Sequence, residues 1–99
     1  MIVVAVRVHV KAGKREEFIK LAQAMLEPSR DEKGCISYNF YADTQDTNGF
    51  IYFEEWESQD ALKLHSRSSH YTQYSEQVPA LLERSAEVRV YTVSKVELR

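Results

Sequence analysis

Between Phe50 and Tyr74 the chain reads FIYFEEWESQDALKLHSRSSHYTQY, which gathers a carboxylate (Glu54), an indole (Trp56), two imidazoles (His65 and His70) and several phenols into one short stretch. Imidazole changes charge between pH 5 and 8, so it can take or return a proton near neutrality. Aromatic rings beside it offer a flat wall on which another ring can stack. The run Phe50–Trp56 is β-branched and aromatic, as strands are, and alternation sets Tyr52, Glu54 and Trp56 on one face against Ile51, Phe53 and Glu55 on the other. Glu54 is the anomaly on an otherwise apolar face. It is either a working carboxylate or one that is solvated or paired near the strand end.

The elements that must position these groups can be read in order. Ile2, Val4, Val6, Val8 and Val10 make one apolar face of a first strand, with Val3, Ala5, Arg7 and His9 on the other. After a turn at Gly13, residues Phe18, Leu21, Ala22, Met25 and Ser29 recur at helical spacing, and Glu16 and Glu17 favour the positive end of the helix dipole. Pro28 is expected to kink or end this helix, with Glu32, Lys33 and Gly34 as its exit. A second strand, Cys35–Ala42, alternates Ile36, Tyr38, Phe40 and Ala42 against Ser37, Asn39 and Tyr41, and the polar run closing on Asn48 and Gly49 turns it into the third strand as a hairpin. Ser58 caps a helix over Gln59–His65; Ser66–Ser69 interrupt it, and a further helical piece carries Tyr71, Tyr74, Val78 and Leu81 or Leu82, disturbed by Pro79. Glu87–Val96 reads as a fourth strand. The order β-α-β-β-α-β, over residues 1–99 as one domain, is the split βαβ pattern of a ferredoxin-like α+β fold: a four-stranded antiparallel sheet with both helices on one face. Each strand has apolar residues on both sides, so a second copy is expected to cover the open face, burying on the order of 1,000 Å² or more.

Composition narrows the function. With 99 residues the chain has no room for a second domain, and a net charge of −2 with both signs scattered excludes a basic nucleic-acid surface. No stretch approaches the roughly 18 apolar residues of a membrane span, and the alternating N-terminus lacks the marks of a signal peptide. The single cysteine, Cys35, fits a reducing, cytoplasmic setting and reads as apolar filler before nucleophile. His65 and His70 are five apart, which on a continuous helix separates them by roughly 140°, so no metal site is expected. Nucleotide, Rossmann-flavin, acyl-serine and dithiol motifs are missing.

The element order, Gly13, EKGCISY (Glu32–Tyr38), EEWES (Glu54–Ser58) and ALKLHSRSSH (Ala61–His70) together resemble the antibiotic biosynthesis monooxygenase (ABM) domain family, nearest its quinol monooxygenase-like members. There a Trp-Glu-Ser, a helix His, a second His and a Tyr-Ser-Glu segment are similar to Trp56–Ser58, His65, His70 and Tyr74–Glu76. The resemblance covers almost the whole chain. It implies a dimeric α+β barrel that oxidises quinols or related phenols with O₂ and without flavin, haem or metal; other members are isomerases or have no known activity. A related branch degrades haem with a first-strand Asn, which Val3–Arg7 here lacks.

On that reading the substrate must give an electron to O₂ itself, which is easier once a phenol is deprotonated. His65 is the expected base, Glu54 its orienting partner or replacement, and Trp56, Tyr52 and Tyr74 the aromatic wall. Asn39 is a candidate donor to a substrate oxygen, and His70 a local bridge or second contact. Two other readings stay open: an isomerase of a small carbonyl compound using the same base, and a non-catalytic homodimer that binds a small metabolite.

Overall fold

The computed structural model describes residues 1–99. Its elements are β1 (Ile2–His9), α1 (Arg15–Arg30), β2 (Cys35–Ala42), β3 (Gly49–Trp56), α2 (Gln59–Ser66), α3 (Ser69–Gln77), a 3₁₀ turn (Val78–Leu81) and β4 (Glu87–Thr92). The strands form one antiparallel sheet in the order β2-β3-β1-β4, the ferredoxin-like arrangement. Register puts Val4 opposite both Glu54 and Val90, and Tyr38 opposite Glu54, so one sheet face carries β1 valines, Tyr38, Tyr52, Glu54 and Trp56 toward the helices. There they join Phe18, Ala22 and Met25 of α1 and Ala61 of α2 in the core. The opposite face, with Val3, Ile51, Phe53, Tyr41 and Tyr91, has no layer over it.

Four local expectations change. Pro28 does not stop α1, which continues to Arg30; the proline sits in the last turn, where only one backbone hydrogen bond is forgone. The second helical region is two helices, because Ser68 leaves helical geometry and caps α3 by accepting the Tyr71 N–H at 3.2 Å. Ile36 does not share Tyr38's buried face: an irregularity between Cys35 and Ser37 turns it outward. β4 ends at Thr92, not Val96: Thr92 pairs with Ile2, the first residue of β1, and beyond it one further bond, Val93 N–H to the Met1 carbonyl at 2.9 Å, closes the ladder.

Candidate active site

Ser58 accepts the Ala61 N–H at 3.2 Å and starts α2, whose inner side is Ala61 and His65. The turn from α1 into β2 comes up against this helix. Gly34 sits at φ +91, and a Cβ there would lie 2.6 Å from the Ala61 side chain. Only glycine permits both the backbone angle and the approach, which delivers Glu32 to His65. The Glu32 Oε2 atom is 2.6 Å from His65 Nδ1 and 2.8 Å from His70 Nε2. Ser68 donates to the His65 carbonyl at 2.7 Å, and its oxygen is 3.2 Å from His70 Nε2. The His65 ring packs 4.6 Å from the Trp56 indole, with Tyr38 at 5.4 Å and Tyr71 at 5.2 Å. Burial holds the imidazole below its ordinary pKa, with the Glu32 carboxylate pulling the other way.

His65 borders a cavity of about 440 Å³ between the sheet and helices α2 and α3, a size common for small-molecule sites. Its walls are Val4, Val6, Val88 and Val90 from the sheet and Tyr38, Tyr52, Tyr71 and Tyr74 as an aromatic side, with Glu54 among them. Val88 and Val90, on the edge strand, are 58% and 50% exposed, so the cavity opens along β4. Tyr74 donates its hydroxyl to that of Tyr52 at 2.6 Å. Burial, first among several causes, pushes the phenols of Tyr38, Tyr52 and Tyr74 well above their ordinary range, so they stay protonated at neutral pH. Glu54 is 6% exposed and accepts the Trp56 indole N–H at 3.1 Å. Burial raises its carboxyl to about 7, against the indole hydrogen bond that lowers it, with Glu32 adding repulsion. A carboxyl raised to about 7 and an imidazole therefore line one apolar cavity. Another concavity, at the far end of the sheet beside His9, is bordered by Arg7, Asp46, Arg84 and Glu87 and lacks this apolar wall.

The expected site residues divide. His65, Glu54, Tyr52 and Tyr74 meet at the cavity. Trp56 does not line it; the indole lies behind, wholly buried, packed on His65 and bonded to Glu54. Glu54 is not the partner that orients His65, since its hydrogen bond goes to Trp56 while Glu32 holds Nδ1. His70 does not line this cavity and is joined to His65 through Glu32. Asn39 faces away from the helices and accepts from Arg30 at 2.6 Å. Cys35 has its thiol pushed up to about 11, by burial first and then by Glu32 and Glu54, which disfavours a nucleophilic role. Tyr38 and Glu32 are functional neighbours that the linear pattern did not single out. Both lie in the EKGCISY segment that carries the family resemblance, Tyr38 also on the apolar face of its strand and Glu32 at a helix exit, but nothing in that segment says which side chain Glu32 meets.

The ferredoxin-like sheet with a histidine and a buried carboxyl on a tyrosine-lined cavity defines a class of small α+β domains with an internal pocket. Residues 1–77 match the family profile described as antibiotic biosynthesis monooxygenase, and the chain belongs to that family. An uncharacterized protein of Synechocystis is 43% identical over 96 residues; the match takes in 97% of this chain and 65% of that protein, so the chain spans about two thirds of its length. YcnE of Bacillus subtilis, provisionally named a monooxygenase, is 35% identical over 71 residues, 72% of this chain and 75% of that one. The solved structure of Rv0793 from Mycobacterium tuberculosis superposes with a TM-score of 0.91 at 33% identity, covering 96% of each chain.

Proposed function

We propose that this chain is a cofactor-independent monooxygenase that oxidises a hydroquinone or similar electron-rich aromatic with O₂. The observation that carries the reading is His65: its Nδ1 is engaged by Glu32, leaving Nε2 for a substrate in an apolar cavity walled by tyrosines. In the proposed sequence Nε2 takes a phenolic proton, and the hydroquinone anion passes one electron to O₂. The semiquinone and superoxide combine at a ring carbon, and the proton on His65 returns to the peroxide, which loses water. Hydroquinone and O₂ give hydroxyquinone and H₂O, so atoms and electrons balance without an outside reductant. Glu54, near 7, can supply or accept the second proton.

We assign the working unit to a homodimer, supported by the uncovered face with Val3, Ile51, Phe53 and Tyr91, and its setting to the cytoplasm, supported by the lone cysteine. No helix is long and apolar enough to cross a membrane. The presence of Glu54 and His65 on one cavity also favours a second reading, isomerisation of a small carbonyl compound, in which one group removes a proton and the other returns it. An oxygen-electrode assay of metal-stripped, flavin-free protein with hydroquinones separates the two. One O₂ consumed per hydroxyquinone formed supports the monooxygenase; turnover of a carbonyl substrate without O₂ uptake supports the isomerase, and saturable binding without turnover supports a binding domain.

A further inference from the structure

We propose that Glu32, His65 and His70 form a site for a divalent transition-metal ion of the Zn²⁺ class, and that the bound ion turns His65 from a base into a hydrogen-bond donor toward the cavity. The regulatory half rests on the reading of His65 as base; the binding half does not.

Three elements bring the ligands together: the turn after α1 carries Glu32, α2 carries His65, and α3 carries His70. Their ligand atoms all lie within 4.8 Å of one another. On one continuous helix a five-residue spacing would part the two rings, but the break at Ser68 redirects α3. Both imidazoles then converge on one carboxylate oxygen, at 2.6 and 2.8 Å. Orienting His65 needs only Glu32. The second imidazole on the same oxygen is surplus to that task, and two imidazoles with one carboxylate are the protein ligands of open zinc sites, where water takes the fourth place. A tetrahedral ion about 2.1 Å from each ligand spaces them roughly 3.4 Å apart, so each ring must back away from Glu32 by roughly 0.6–0.8 Å while the two ring nitrogens, within 4.8 Å of each other, close toward that spacing. There is a route in: His70 borders a surface groove between α1 and α3, beside Lys20 and Gln73.

The switch comes from the placement of one proton on one ring. Neutral imidazole carries one N–H, and with Glu32 as acceptor that proton sits on Nδ1, leaving the Nε2 lone pair for the cavity. An ion on Nδ1 takes that lone pair, so the proton of a neutral ring moves, through solvent, to Nε2. His70 likewise exchanges its Nε2 proton for one on Nδ1. The hydrogen bonds of both rings to Glu32 and the Ser68 contact with His70 Nε2 give way to the ion, which lies on the Glu32 side of His65.

The test titrates the metal-stripped full chain with Zn²⁺ against a chromophoric chelator, and with Co²⁺ followed by its visible absorption. One ion per chain is expected. His70→Ala, with His70→Gln as the variant kept if the alanine protein does not fold, and Glu32→Gln should each weaken binding by roughly 100-fold or more. Long-range ¹H–¹⁵N spectra should show the His65 proton moving from Nδ1 to Nε2 as Zn²⁺ is added. Zn²⁺ should slow O₂ consumption and a chelator should restore it. Absence of binding, or binding that the folded variants leave unchanged, overturns the site, and binding without the tautomer change overturns the switch. Zn²⁺ held at the cluster by a protein that oxidises no quinol upholds the site and rejects the monooxygenase reading instead.

Discussion

Glu54 ties its neighbourhood to pH more directly than any other side chain. Its carboxyl is raised from 4.5 to about 7 by burial, which means that the folded protein prefers it protonated. Below pH 4.5 both folded and unfolded chains hold the proton, and this residue costs nothing. Between 4.5 and 7 the unfolded chain ionises first, so folding stability falls as pH rises, and above 7 the penalty is constant. Glu54→Gln removes that dependence. Urea unfolding should show the variant gaining on the parent by about 3 kcal/mol between pH 4 and pH 8, the amount that corresponds to the rise from 4.5 to about 7. Trp56→Phe should move the other way on the carboxyl itself: without the indole N–H the ionised form loses its donor, and the Glu54 band in infrared spectra should titrate at higher pH. At this scale alternation alone placed Tyr52, Glu54 and Trp56 together and helical spacing placed His65. It could not place Glu32, 33 positions from His65 in the chain, because that meeting depends on how closely a turn approaches a helix.

The elements explain why that approach is possible. Gly13 and Gly34 both have positive φ, but a Cβ on Gly13 meets nothing within 4 Å, whereas on Gly34 it collides with Ala61. Gly13→Ala should therefore cost only the backbone strain, about 1 kcal/mol, and Gly34→Ala that strain plus overpacking, about 2–4 kcal/mol in all. Urea unfolding of the two proteins measures the difference, and equal losses would show that the turn and α2 can part without consequence. The element order and strand faces were legible because apolar periodicity is local. The break between α2 and α3 was read as an interruption, but its effect was not: a cap at Ser68 reorients α3, and spacing on an ideal helix then gives the wrong angle between His65 and His70. The end of β4 was set by the length of its partner β1, which its own residues do not encode.

For the whole molecule, the open sheet face and the open cavity edge raise the same question of what covers apolar surface. Phe53, Tyr41 and Tyr91 stand on the face away from the helices and are exposed in the single chain. Sedimentation equilibrium should give a dimer at micromolar concentration, and Phe53→Asp should weaken it at least tenfold, about 1.4 kcal/mol. A parent protein that stays monomeric at all concentrations would remove the two-sheet arrangement. Turnover tests His65 as base directly: O₂ consumption and hydroxyquinone formation by metal-free, flavin-free protein, compared between the parent and His65→Ala after subtraction of autoxidation. Equal amounts of O₂ used and product formed are expected, with a rate about 10²-fold lower in the variant whose fold stays intact. An equal net rate in the two proteins would contradict that role for His65.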